Sequence, residues 1–175
     1  ATLARHRRVY RRWLRFAASL MPGGELPRED GELVILRTAH NCGCAYEIEH
    51  HERLAVEAGL DLTQVARVGD GAEADGWTPR QRLLLDAVDE LQRDHTLSQE
   101  TWDGLRRHLD DTQLIELPLL VGHYQMLALA LNSLHVRPDR PAAPRGVLGR
   151  VATAVAARRR PGARAVDRHH PRSTP

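Results

Sequence analysis

The sequence predicts an all-α fold, and three observations support this prediction. Apolar residues recur at intervals of three and four along most of the first 137 residues, as they do in amphipathic helices. Residues that cap or end helices flank these apolar patterns. No segment alternates between apolar and polar residues in the way that a half-buried strand requires. We therefore expect a bundle of about seven helices.

Four helices are expected in the first half of the chain, each bounded by residues that cap or break helices. They are, in order, Thr2 to Leu20, a segment that begins after Pro27, residues 44–58 ahead of Gly59, and a short segment from Asp61 to Val68. Glycine and aspartate then dominate residues 69–76, which we expect to form a loop.

Three further helices are expected in the second half. They are Thr78 to His95 with Pro79 at the first helical position, a segment that begins at Ser98, and a long helix from Asp111 or Thr112 to about Leu134. Pro118 interrupts the long segment. Because proline lacks a backbone N–H, Pro118 either kinks this helix or marks its true start.

Charge is distributed unevenly along the chain. All 25 basic residues are arginine, and the net charge of +2 divides into +6 for residues 1–16, −12 for residues 17–136 and +8 for residues 137–175. An acidic centre argues against a nucleic-acid-binding core. The basic ends are left free to contact polyanions or the acidic centre of another subunit.

The composition predicts one domain followed by a tail. Residues 1–137 are long enough to bury a core, whereas residues 138–175 are rich in Pro, Arg and Ala and are expected to be mostly disordered. Within this tail, residues 147–157 suit one short helix that ends at Arg158 to Arg160. We interpret the tail either as solvated chain or as an arm for a subunit or a membrane surface.

The compartment follows from what the sequence lacks. No uninterrupted apolar run reaches the roughly 18 residues of a membrane span, and no secretory signal pattern is present. Two cysteines are too few for a disulfide framework. These features predict a cytoplasmic protein without a membrane span.

Residues 41–51 concentrate the chemically versatile side chains. They contain both cysteines of the chain, Cys42 and Cys44, and two adjacent histidines. At 100° per residue, Tyr46, Glu47 and His50 lie on one face of the third helix, whereas His51 pairs with Glu47 and Cys44. The interpretation is a catalytic cluster.

A carboxylate beside a histidine orients the ring and raises its basicity, which is how a general base is made. Glu32, on the preceding helix, reaches the His50 face if the two helices form an antiparallel hairpin. We therefore expect Glu32, Tyr46 and His50 to be catalytic and Glu47 and His51 to support them. The alternative is that these pairs are solvated surface contacts. His123 in the last helix, beside Tyr124, is a further candidate for lining a pocket.

The cysteines allow two interpretations. Side chains two residues apart diverge by 200° in a helix, so Cys42 and Cys44 can bridge only in the loop before it, where Gly43 gives backbone freedom. The helix N-terminus favours a reactive thiolate there. Alternatively, both are small buried side chains. Their spacing from His50 and His51 fits no structural zinc pattern, so we expect no metal or cofactor.

Several segments resemble the carboxymuconolactone decarboxylase family, which includes the alkyl hydroperoxidase D-like proteins. The segments are Glu32 to Ala39, Tyr46 to His50, Ala55 to Leu60, Leu114 to Leu117, and Gly122 to Gln125 ahead of Leu131 and Asn132. The resemblance covers about residues 10–137. It implies an all-helical fold built round a helical hairpin, assembled as dimers, trimers or hexamers with sites near the subunit contacts.

The hydroperoxidase branch carries the motif C-x-x-C-x-x-x-H, with a glutamate twelve residues before the first cysteine. If His50 is the motif histidine, the cysteine positions fall on Gly43 and Tyr46. If it is His51, they fall on Cys44 and Glu47. The cysteine pair is broken in either register. By resemblance, Glu32 is the proton-relay carboxylate.

Three functions follow as hypotheses, and the sequence favours the first, because both cysteines of the chain lie at the N-terminal end of the third helix. The first is a hydroperoxide-reducing enzyme in which Cys44 or Cys42 attacks the peroxide, Glu32 and His50 relay protons, and a thiol reductant restores the cysteines. The second is a cofactor-free lyase or isomerase in which His50, Glu32 and Tyr46 do acid–base work on a small carboxylated substrate. The third is a non-catalytic oligomeric module that binds a partner through its basic arms.

Overall fold

The computed structural model describes residues 2–138, and this part of the chain contains seven α-helices and no β-strand. The helices are α1 (Arg7–Leu20), α2 (Arg28–Asn41), α3 (Ala45–Ala58), α4 (Leu62–Arg67), α5 (Pro79–Asp94), α6 (Gln99–Leu105) and α7 (Asp111–Ser133). The all-α prediction is confirmed. All but the first residue of the expected disordered tail, 138–175, lies outside the described residues, and so does its expected short helix at 147–157.

Helix α2 is the centre of the bundle and packs against α3, α5 and α7. Four consecutive residues, Leu33, Val34, Ile35 and Leu36, are completely buried. Four successive side chains point in four directions around a helix, so α2 is covered on every side. Burying each such side chain contributes about 1.5–3 kcal/mol, which makes this segment the principal apolar core.

Helices α2 and α3 form the expected hairpin, joined by a three-residue turn. Gly43, in the middle of the turn, adopts a left-handed backbone conformation with φ of +57°, which a residue without Cβ accepts at low cost. The Asn132 side-chain amide donates a hydrogen bond of 2.9 Å to the Cys42 carbonyl and so ties the turn to α7. This turn sets how α2 and α3 face each other.

The N-terminal cap differs from the prediction. Residues Leu3–Arg5 form a 3₁₀ turn, and α1 begins only at Arg7. The cap of α1 is His6, whose side chain accepts a bond of 3.5 Å from the Val9 amide. Thr2 makes no side-chain cap bond, so the prediction that it caps α1 was wrong. The chain changes direction at His6, which ends the 3₁₀ turn and separates it from α1.

The predicted caps farther along the chain are confirmed. The side chains of Asp61, Thr78 and Ser98 each accept a hydrogen bond from a backbone amide in the first turn of the following helix. Asp61 and Thr78 form complete capping boxes with glutamines three residues later. Short polar side chains ahead of an apolar pattern therefore marked the starts of these three helices correctly, although not that of α1.

Helix α7 passes through Pro118 without ending. Asp110 caps it by accepting a hydrogen bond of 2.9 Å from the Gln113 amide. The alternative that Pro118 marks the start of the helix was therefore wrong. Among residues 2–138, α7 is the one helix with the length and composition of a membrane span, but 56% of its most apolar window is buried within the fold. That degree of burial is typical of a core helix.

Candidate functional site

A buried ion pair joins the two helices of the hairpin. Glu32 projects from α2 and is completely buried, and its Oε2 lies 2.6 Å from Nδ1 of His51 on α3. Arg28, one turn earlier on α2, places a guanidinium nitrogen 2.7 Å from Glu32 Oε1. The angle leaves that oxygen without a hydrogen bond among the described residues. Glu32 therefore fixes the orientation of the His51 ring.

A second carboxylate holds the other side of the same ring. Glu47 lies one helical turn before His51, and its Oε2 is 3.3 Å from His51 Nε2. Burial alone would lower the pKa of His51, but the hydrogen bonds and negative charges of Glu32 and Glu47 outweigh burial and raise this pKa. The imidazole is thus held between two carboxyl groups in a setting that favours its protonated form.

Aromatic rings extend this cluster toward α1. The Tyr124 ring of α7 lies edge-on to His51, with 5.1 Å between centroids, and edge-on to His123 at 5.2 Å. His123 in turn stacks on Trp13 at 5.9 Å. Burial lowers the pKa of His123, and its Nδ1 has no hydrogen-bond partner among residues 2–138. Burial and the charges of Glu47 and Glu32 raise the pKa of Tyr124.

The structure separates the two adjacent histidines. Glu32 contacts His51, whereas His50 is exposed and its ring lies 6.5 Å from that of Tyr46. Although its side chain is exposed, partial desolvation of the ring and the nearby charge of His51 lower the pKa of His50. Of the residues proposed from the sequence, the fold therefore brings together Glu32, Glu47 and His51. It leaves Tyr46 and His50 at the edge of this group.

A sequence signal could have identified His51 in advance. Glu32 stands twelve residues before Cys44, and His51 stands seven residues after it. Both offsets match the spacing of the hydroperoxidase motif in the His51 register, in which Glu47 takes the position of the second cysteine. The helical face alone favoured His50, because it did not include the direction from which α2 approaches.

The two cysteines are poorly placed for reaction as thiolates. Cys44 is the N-cap of α3 and is completely buried, while Cys42 is half-buried and its Sγ accepts a bond of 3.3 Å from Gln92 Nε2. Burial raises the pKa of both thiols. At Cys44, backbone N–H groups of α3 oppose this effect, but burial is stronger. The helix N-terminus therefore acts in the expected direction, but the net shift of the Cys44 pKa is away from the thiolate.

A cavity of about 610 Å³ opens beside the buried chain that Glu32, His51 and Glu47 form. Glu47 and Tyr46 of α3 form one wall, and Trp13 of α1 and Leu131 of α7 contribute others. Glu32 and His51 do not line this space, so Glu47 is the member of the buried chain that faces it. The arrangement can transfer a proton between a molecule in the cavity and the His51 ring.

His, Cys, Asp and Glu side chains in the described part of the chain form no group of three that suits a metal ion. Both carboxylates nearest His51 are instead engaged with its ring nitrogens. The contacts among Glu32, His51 and Glu47 allow proton transfer between oxygen and nitrogen atoms.

Residues 7–90 match the sequence profile of the carboxymuconolactone decarboxylase family. The resemblance to this family is confirmed. The matched residues include α2 and α3, and thus the whole Glu32, His51 and Glu47 cluster. No curated protein matches the chain in sequence.

Several solved structures share the fold. A protein of unknown function from Agrobacterium tumefaciens, provisionally described as the antioxidant defence protein AhpD, superposes with a TM-score of 0.74 at 16% identity, over 81% of this chain and 98% of its own. An uncharacterized peroxidase-related protein with an alkylhydroperoxidase AhpD core, from Ralstonia eutropha JMP134, gives 0.71 at 21% identity, over 79% and 74%.

An uncharacterized peroxidase-related protein from Silicibacter sp. TM1040 is also similar. It has a TM-score of 0.67 and 15% identity, over 74% of this chain and 69% of its own. At these identities the likeness concerns the fold, which is of the AhpD-like type. The reaction has to be argued from the side chains of this chain.

Proposed function

We propose that this protein is a cofactor-free lyase or isomerase that moves a proton to or from a carbon atom of a small carboxylated substrate. The observation that carries the proposal is the buried chain Glu32–His51–Glu47, of which Glu47 faces the 610 Å³ cavity. Such a chain connects the cavity in which a substrate would bind to the buried His51 imidazole, which can hold a proton. In this proposal His51 takes the role that the sequence predicted for His50.

In the proposed reaction, Glu47 acts on the substrate and His51 acts on Glu47. The Glu47 carboxylate removes a proton from a carbon next to a carbonyl group, and the electron pair of that C–H bond moves into the carbonyl to give an enolate. In an isomerisation, Glu47 returns the proton to a different carbon. In a decarboxylation, loss of CO₂ leaves the electron pair on the substrate, and Glu47 delivers the proton that replaces it after taking that proton from His51, which regains one from solvent.

His51 supports both steps because it is oriented and charged by its neighbours. Glu32 accepts from Nδ1, so Nε2 points at Glu47. The raised pKa of His51 keeps a proton available near Glu47, and the protonated ring stabilises negative charge on that carboxylate. Tyr46, which also lines the cavity, provides a hydroxyl that can donate to the carbonyl oxygen of the substrate.

A hydroperoxide reductase is the second candidate, and one observation favours it. The Cys44 sulfur lies where backbone N–H groups of Tyr46 and Glu47 face it, at the start of the helix that carries His51. Its thiolate would attack the peroxide to give a sulfenic acid and an alcohol. Cys42 would then displace water to form a disulfide, and an external dithiol would reduce it. The raised pKa values of both thiols oppose this candidate.

One experiment separates the two candidates. A set of β-keto acids and carboxylated lactones is incubated with the protein in D₂O, and deuterium incorporation and CO₂ release are followed by NMR. We expect turnover by the wild type and by the Cys42→Ser, Cys44→Ser double variant, and loss of at least about a hundredfold in Glu47→Gln.

The peroxide arm of the experiment uses thiol titration before and after one equivalent of cumene hydroperoxide. Loss of both thiols together with formation of one alcohol per protein, and no turnover of any carbon acid, would establish the reductase instead. The Glu49→Gln variant, on the same helix but outside the buried chain, is the matched control for Glu47→Gln.

Assembly into a homo-oligomer is also part of the proposal. Apolar side chains are exposed along one side of α7, namely Ile115, Leu119, Met126 and Leu129. Their spacing of four, seven and three residues keeps them on one stripe of the helix. Such a stripe supports a dimer, trimer or hexamer, which light scattering at several protein concentrations distinguishes.

A further inference from the structure

The cavity beside Glu47 shares part of its wall with a second, almost wholly apolar cavity of about 470 Å³. The two share wall residues from the N-terminal turn, α1 and α7, among them Leu3, Tyr10, Trp13 and Leu127. The second space extends along the groove between α1 and α7 to Val9, Met126 and Ala130, and neither Tyr46 nor Glu47 lines it. A molecule bound at Glu47 therefore lies next to a space that suits an apolar extension.

The two charged side chains that line the first cavity differ in how deeply they are buried. Glu47 is 4% exposed, whereas Arg137 lines the same cavity from an exposed position on the segment after α7. Across the walls of both cavities, Glu47 is the one acidic side chain among the described residues, and Arg5 lines the second cavity. An anionic group is consequently attracted to the arginines and repelled from the Glu47 carboxylate, and of the two arginines it is Arg137 that lines the same cavity as Glu47.

We propose that this double cavity is the substrate site and that it takes an amphiphilic monocarboxylic acid, with its carboxylate at Arg137, its reacting carbon at Glu47 and an apolar chain in the second cavity. This inference rests on the proposed function, because it uses Glu47 as the proton-transfer group. A carboxylate held at Arg137 stays intact, so the reaction at this site is the isomerisation, and proton transfer occurs at a carbon farther along the molecule that lies next to a carbonyl group.

The sizes of the cavities fit such a ligand. Sites for small molecules typically enclose about 300–1,000 Å³ and are lined by apolar and aromatic side chains with a few placed polar groups. The first cavity matches this description with the aromatic rings of Tyr10, Trp13 and Tyr46, and two charged groups of opposite sign. The second adds mostly apolar walls together with Arg5. We therefore expect the site to distinguish ligands by the length of their apolar chain.

The test uses straight-chain carboxylates from butanoate to decanoate, with octanamide as a neutral analogue, and measures binding to the full-length protein by calorimetry. Each methylene group that enters the second cavity is expected to strengthen binding about two- to fourfold. Quenching of tryptophan fluorescence provides a second readout, because Trp13 lines both cavities. This quenching is expected to disappear in Trp13→Phe while calorimetry still detects binding.

Two variants test the two ends of the site. Arg137→Gln is expected to weaken octanoate at least about tenfold and to leave octanamide unchanged. Arg106→Gln, an exposed arginine at the end of α6 outside both cavities, is the control. Ala130→Leu fills the second cavity and is expected to weaken decanoate while leaving butanoate unchanged.

The outcomes distinguish this inference from the proposed function. Equal affinities for all chain lengths, or equal effects of Arg137→Gln and Arg106→Gln, would overturn the inference even if Glu47-dependent turnover is found. Chain-length-dependent binding without turnover of any carbon acid would retain the site and reject the proposed chemistry. Glu47→Gln is expected to bind octanoate at least as tightly as the wild type, because it removes a negative charge from the cavity.

Discussion

Glu32 and His51 are joined by a 2.6 Å hydrogen bond in the interior of the α2–α3 hairpin, with 0% and 5% of their surfaces exposed. Buried charges are tolerated in proteins when they are paired and hydrogen-bonded. This pair therefore links the two helices. It also orients the His51 ring of the candidate site, through Glu32. Stability and activity are expected to depend on the same contact.

Glu32→Ala is expected to destabilise the protein by about 3–5 kcal/mol, because it removes one member of a buried pair and leaves His51 Nδ1 without a partner. The measurement is urea denaturation monitored by circular dichroism. The control is Glu57→Ala, which removes an exposed pair with Arg53 on α3. Exposed pairs of this kind contribute about 0–1 kcal/mol, so a loss in Glu32→Ala no larger than in Glu57→Ala would contradict the prediction.

The pKa values of the two buried histidines are expected to be shifted in opposite directions. Carboxylates raise the pKa of His51, whereas burial without a hydrogen bond to Nδ1 lowers that of His123. In an NMR titration of the imidazole protons, His51 should titrate above the ordinary value of about 6.5 and His123 below it. His51→Gln and His123→Gln assign the two signals. A pKa of His51 below that of His123 would show that the carboxylates do not determine the pKa of His51.

The raised pKa of His51 also predicts how stability depends on pH. The folded chain holds this proton more tightly than the unfolded chain, so the contribution of His51 is complete below about pH 6.5 and is lost as the pH rises through its folded pKa. The advantage of the wild type over His51→Gln in free energy of unfolding should therefore shrink from pH 6 toward alkaline pH. An advantage that grows over this interval would contradict the assigned charge state.

Both thiols are expected to react slowly with a disulfide reagent at pH 7.5, because burial raises their pKa values and Cys44 has no exposed surface. We expect rates at least about tenfold below those of the urea-unfolded chain, with Cys42 faster than Cys44. Cys42→Ser and Cys44→Ser assign the two rates. Rapid labelling of Cys44 in the folded protein would instead support the hydroperoxide reductase.

The helices could be predicted from the sequence because their start signals are local. Asp61, Thr78 and Ser98 each cap the helix that follows, and this depends on a few adjacent residues. The histidine of the site could not be assigned in the same way. His50 and His51 differ by 100° around α3, and the face that meets Glu32 is set by the packing of α3 on α2.

The state of the thiols was also beyond local inference. A helix N-terminus lowers the pKa of a thiol, and the sequence places Cys44 at such a position. Its complete burial, however, is produced by the packing of distant helices round the α2–α3 turn, and this burial decides the direction of the shift. Burial of a single side chain in a bundle depends on contacts that no local pattern specifies.

Two glycine substitutions are expected to change stability in opposite directions. Gly43 has φ of +57°, and an added Cβ would meet no atom within 4 Å, so Gly43→Ala costs backbone strain alone, about 1–2 kcal/mol. Gly122 has equally open surroundings but lies within α7, where alanine is favoured by about 0.5–1 kcal/mol. Urea denaturation of both variants measures the difference. A stabilised Gly43→Ala would show that the hairpin turn does not require the left-handed conformation.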